Sequence, residues 1–210
     1  MSVRTTALLM MIGLGGTFLL RTLNSVLPTL YAPPPLARLA AIWFFVASLF
    51  ALSFFWSVQS AWQGGGRTQL EAASRLAAMG AALAVLLRLR GALNVFRDVP
   101  GSATSVVGEI VPFLELISVL TLLWFFYVVH VRLGARVHGT GGALLGAALF
   151  SLAALLVFLL QELPAVPKWL AQRSWPVVVS SIPLGFLAVG GLLRFLFFVR
   201  RNPQALTGVD

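Results

Sequence analysis

Residues 37–61 read A-R-L-A-A-I-W-F-F-V-A-S-L-F-A-L-S-F-F-W-S-V-Q-S-A, and beyond Arg38 the run contains no charged side chain. As a helix it would cover about 37 Å, more than the roughly 30 Å hydrocarbon core of a bilayer. In hydrocarbon every backbone N–H and C=O must be satisfied internally, so only a helix or a closed barrel can cross. Barrel strands alternate in polarity; this run does not, and a helix follows.

Five further stretches have the same character. Expected helices lie at about 6–27, 37–61, 69–96, 109–132, 141–161 and 177–199. The sequence thus predicts an all-α integral membrane protein, a bundle of six transmembrane helices with short loops, forming a single membrane domain over 1–210. Composition agrees: 59% of residues are hydrophobic and 10% charged, against about 25% charged in a soluble domain. Arg4 before the apolar stretch from Ala7 to Leu20 superficially resembles a signal peptide, but no small-residue cleavage site follows promptly, so a retained first helix is expected.

The connections carry ordinary helix breakers: Pro33 to Pro35, Gly64 to Gly66, the Asp98–Pro100–Gly101–Ser102 turn, and Pro164 with Pro167. None of the loops is long enough for a soluble domain. Trp43, Trp56, Trp62, Trp169 and Trp175 fall near expected helix ends, where indoles favour the membrane interface, while Trp124 lies deeper. The mixed stretch Lys168 to Trp175 is expected along the membrane surface.

The net charge of +9 comes almost wholly from arginine. On a chain this apolar it points to anionic lipid head groups at arginine-rich rims, not to nucleic acid. Protein partners or a homo-oligomer are also expected. With six crossings both termini share a side; that side would hold eight basic residues and the other seven, so the positive-inside rule does not separate them. The Phe197–Phe198–Val199–Arg200–Arg201 ending favours cytoplasmic termini, and high Arg and Ala with one lysine suits a bacterial inner membrane. No internal repeat is legible beyond arginines at the ends of helices three and six.

Ionisable residues inside a membrane are costly and each needs a reason. Helix three has an uninterrupted apolar stretch, Leu76 to Leu87, of only 12 residues, bounded by Arg75 and by Arg88 with Arg90. Glu71 and Arg75 are four apart and can pair on one face. Helix four carries Glu109, Pro112 and Glu115. Counting from the intervening loop, Arg88 and Glu115 reach nearly the same depth, so an inward ion pair between Arg88 or Arg90 and Glu115 is expected, with Glu109 nearer the surface. Two readings of that pair stand side by side: glue that fixes helix register, or an ion, proton or anionic-ligand site.

Other signals are weaker. Gly142 and Gly146 form a GxxxG in helix five, suited to close helix approach within the bundle or to a partner, and Gly190 with Gly191 is similar. Pro183, beside Ser180 and Ser181, is a candidate kink in helix six. His130 and His138 have no neighbouring carboxylate or thiol at metal-site spacing, and no cysteine is present. No catalytic signature is found, so no catalytic residue, metal or cofactor is assigned. Two functions follow: a small-solute transporter, channel or membrane-embedded transport subunit, or a structural or assembly subunit of a larger membrane complex. A lipid-modifying enzyme ranks third.

Overall fold

The computed structural model describes residues 1–26, 34–63, 68–96, 106–162 and 174–207, with side chains over 1–23, 35–63, 68–96, 110–156 and 183–207. Within them lie α1 (Val3–Val26), α2 (Pro34–Trp62), α3 (Thr68–Phe96), α4 (Val106–Leu133), α5 (Thr140–Glu162), α6 (Ser174–Arg201) and a short α7 (Pro203–Thr207). The described residues contain no strand. Five helices are long and apolar enough to cross a membrane; the described apolar part of α5, Thr140–Leu156, is shorter, though the helix continues to Glu162. The chain is an all-α, multi-pass membrane bundle.

Each long helix packs on its neighbours in sequence, and α6 returns to pack on α1, so the six close a ring. The N-terminus and the last described residues, up to Thr207, lie at one end. The Ser57 hydroxyl reaches the Met1 carbonyl at 3.5 Å, and the Trp62 indole N–H donates to the Leu206 carbonyl at 3.0 Å. Trp62 therefore leaves the interfacial role its helix-end position suggests. It is buried and ties α7 to the core. Trp169 and the side chain of Trp175 lie outside the described residues, as does most of the stretch Lys168 to Trp175.

The ring is three αα-hairpins in the same register, a repeat not legible from hydropathy. Leu52-x-Phe54-Phe55-Trp56-x-Val58 on α2 recurs as Leu123-x-Phe125-Phe126-Tyr127-x-Val129 on α4, and as Leu193-x-Phe195-Leu196-Phe197-x-Val199 on α6. In each copy the second, third and last named residues are buried. Their edge-to-face contacts run from Phe55 to Phe125, Phe126 and Phe195 at 5.1–5.4 Å, filling the ring between α2, α4 and α6. The fourth named residue of each copy, aromatic in all three, instead faces out: Trp56 is 62% exposed, Tyr127 47% and Phe197 42%. They form a belt of the kind that marks a membrane boundary.

The odd helices supply mostly small residues, with Met10 the exception. Ala7, Met10 and Gly13 on α1 match Ser74, Ala77 and Gly80 on α3 and Thr140, Ala143 and Gly146 on α5, all buried. A Cβ on Gly13, Gly80 or Gly146 would meet Ala47, Ser118 or Ala188 respectively, besides other neighbours. Those three partners precede their leucines by five residues, and they are spaced like the aromatic motif, at 47, 118 and 188. Absent side chains on one helix thus admit the other helix's backbone, the close-packing device of membrane helices.

Candidate functional site

In α3 and α4 the register is set where glycine removes the spacer. The Ser118 hydroxyl donates to the Gly80 carbonyl at 2.8 Å. In antiparallel helices this puts Glu115 level with position 83, so the Arg88 Cα sits five residues, about 7 Å, nearer the loop. Side chains on a helix lean toward its own N-terminus. Arg88 and Glu115 therefore lean toward each other, and Arg88 Nη2 lies 3.3 Å from Glu115 Oε1. Each side chain is 39% exposed, so the pair is not sealed inside the ring as an inward pair would be. Arg90, half-buried on the same helix, is also partnered. The Glu109 side chain lies outside the described residues.

Arg88 lines a cavity of about 290 Å³ between α2 and α3, walled by Ala40, Phe44, Leu87, Gly91 and Ala92. The repeat gives this place added meaning. Arg88 is eight residues past Gly80, and Arg21 is eight past Gly13; Glu115 is three before Ser118, and Phe44 is three before Ala47. Arg21 lies over the Phe44 ring at 5.7 Å, a cation–π contact at the register of the ion pair. The third hairpin has Ala154 and Gly185 there. Two hairpins place a guanidinium at this depth and the third folds without one, so the charge is not a requirement of the hairpin itself. Arg38 on α2, over the Phe96 ring at 5.8 Å, adds a further cation at the same end of the bundle.

At the opposite end Arg75 pairs with Glu71, and Arg132 Nε donates to Gln69 Oε1 at 2.8 Å. His130 Nδ1 shares a 3.0 Å hydrogen bond with the Thr140 hydroxyl, joining α4 to α5. His138 sits in the α4–α5 turn with its ring edge-on to Phe198 at 5.2 Å. The described residues hold no cluster of three or more His, Cys, Asp or Glu side chains that could bind a metal.

Gly142 and Gly146 both face α6. A Cβ on Gly142 would come within 3.1 Å of Gly191 Cα, and one on Gly146 would fall on the Ala188 carbonyl. This GxxxG is occupied inside the bundle. Gly190 has open space instead. Pro183 lies within α6, which is helical on both sides of it; the Ser180 and Ser181 side chains lie outside the described residues.

No protein-family model matches the chain, and neither a curated protein nor a solved structure is similar to it.

Proposed function

We propose that the protein is a small-solute transport protein or membrane-embedded transport subunit, and that the α2–α3 cavity beside Arg88 and Glu115 receives a small anionic solute. One observation carries this reading. An ion pair within two membrane-spanning helices is half exposed and its Arg88 lines a cavity, at a register where the third hairpin uses only Ala154 and Gly185. Charge facing lipid would be imperfectly compensated, so the partial exposure of this pair fits a polar, hydrated surrounding. Arg21, Arg38, Arg88 and Arg90 near this end, against Glu115 among the described side chains, favour a negatively charged solute. The membrane is a bacterial inner membrane in this proposal, with both termini cytoplasmic.

A second reading, a structural or assembly subunit, is favoured by the aromatic filling at the end where the N-terminus lies. Phe55, Phe125, Phe126 and Phe195 are buried and packed ring on ring between α2, α4 and α6 at that end.

Mild-detergent extraction from native membranes followed by native mass spectrometry separates the two. A monomer or homo-oligomer carrying a small anion supports transport. Co-purification of other polypeptides in fixed stoichiometry, with no small molecule bound, overturns it in favour of the subunit role.

A further inference from the structure

Three adjoining cavities surround Arg201 at the end where the N-terminus lies. One of about 180 Å³ is lined by Arg4, Phe197, Arg200 and Arg201; one of about 450 Å³ adds His138, Arg194 and Asn202; the third, about 400 Å³, extends along Pro203 to Ala205. Arg4, Arg194, Arg200 and Arg201 thus line these cavities, and Arg201 is shared by all three. Arg75 and Arg88 have carboxylate partners, whereas among the described residues no carboxylate pairs with Arg4, Arg194, Arg200 or Arg201. Arg201 is already positioned, its guanidinium lying 4.4 Å from the centre of the Phe197 ring.

The repeat supplies an internal control. The positions matching Arg194, Arg200 and Arg201 are Ser53, Gln59 and Ser60 in the first hairpin, and Trp124, His130 and Val131 in the second. Those hairpins build the same aromatic core without arginine at those positions, so folding does not demand the cluster. Its depth is also defined. Phe197 belongs to the outward aromatic belt with Trp56 and Tyr127, and Arg200 and Arg201 follow it directly toward the helix end. Arg200 and Arg201 thus stand at the level of lipid phosphates, just outside an interfacial aromatic ring, and Arg194 lies one turn inside it, across Phe197 from Arg201.

We propose that these cavities form a binding site for the phosphate of an anionic phospholipid, held by Arg194 and Arg201 with Arg4 and Arg200 closing the other side, while Phe197 and Phe198 border the glycerol and upper acyl chain. Guanidinium forks suit phosphate oxygens through paired N–H donors. The site is independent of the transport reading, since it lies at the opposite end of the bundle from Arg88.

The test is native mass spectrometry of delipidated protein in a neutral detergent, titrated with phosphatidylglycerol, phosphatidylcholine or inorganic phosphate. The expected result is that phosphatidylglycerol is retained about tenfold better than phosphatidylcholine, and that Arg194→Gln/Arg201→Gln removes this preference. Arg75→Gln/Arg132→Gln, which removes two cations from the same end but outside the cavities, should leave it within about twofold. Equal retention of the two lipids, or equal losses in both double variants, would contradict a defined site. Inorganic phosphate competing as well as the lipid would overturn the lipid assignment. Should the Gln variant not fold, Arg194→Lys/Arg201→Lys keeps the charge and loses the forks. Several-fold weaker retention is then expected, and unchanged retention would replace the site by a diffuse rim.

Discussion

The Ser118 hydroxyl hydrogen-bonded to the Gly80 carbonyl holds α3 and α4 at a register from which Arg88 and Glu115 can only meet by leaning toward each other. Their energetic coupling follows from that geometry. A double-mutant cycle with Arg88→Gln and Glu115→Gln, read by thermal unfolding in detergent, should give a coupling of about 1 kcal/mol, the range of a half-exposed pair. A coupling near zero would mean that the two charges do not act together.

The α5–α6 seam separates glycines that are needed from one that is not. Gly191→Ala places a methyl on the Gly142 backbone and should cost about 1–3 kcal/mol. Gly190→Ala meets nothing within 4 Å and should be neutral or stabilising by up to about 1 kcal/mol, because alanine is the better helix former. Equal effects in unfolding measurements would show that this seam is not packed as described.

The aromatic repeat has an inner and an outer member in each copy. Phe125 touches Phe55, Trp62 and Phe126 and is fully buried, so Phe125→Ala should cost about 3–5 kcal/mol. Trp56→Ala, on the outward belt of the same motif, should cost well under half as much in detergent. Comparing the two midpoints of thermal unfolding checks the assignment of faces.

Trp62→Phe keeps most of the ring packing but leaves the Leu206 carbonyl without its donor, at an expected cost of about 1–3 kcal/mol. The effect should be local as well as global. Limited proteolysis should cut near α7 sooner than in the parent protein, and an unchanged cleavage rate would show that this bond does not hold the C-terminal segment.

What hydropathy reveals is length and composition, and these six apolar stretches announce the helices within three residues of their ends. Counting from the shared loop named Arg88 and Glu115 as partners but put them at one level, whereas the Ser118–Gly80 register sets the Arg88 Cα about 7 Å nearer the loop and only the lean of the two side chains closes the gap. Their half exposure was not legible, since depth says nothing about how a helix is rotated. The threefold repeat escaped for a related reason: Leu, Phe and Val are the common currency of membrane helices, and only burial shows that Phe54, Phe125 and Phe195 occupy equivalent places. Gly142 and Gly146 announced a close approach without naming the partner, which turned out to be α6. The short α7 begins at Pro203 and spans five residues, too few to leave a periodic signal.

The central claim is that the cavity beside Arg88 admits water-borne solutes, and the chain's lack of cysteine allows a direct test. Leu87 lines the cavity, whereas its neighbour Leu86 is 63% exposed on the outer face of the same helix at nearly the same depth. Single Leu87→Cys and Leu86→Cys variants in native membrane vesicles would be treated with a charged, membrane-impermeant thiol reagent. Thiolate forms readily in water and poorly in lipid, so Leu87→Cys should react about tenfold faster. Equal rates, or faster reaction at Leu86→Cys, would contradict a solute site and leave Arg88 and Glu115 as a structural pair.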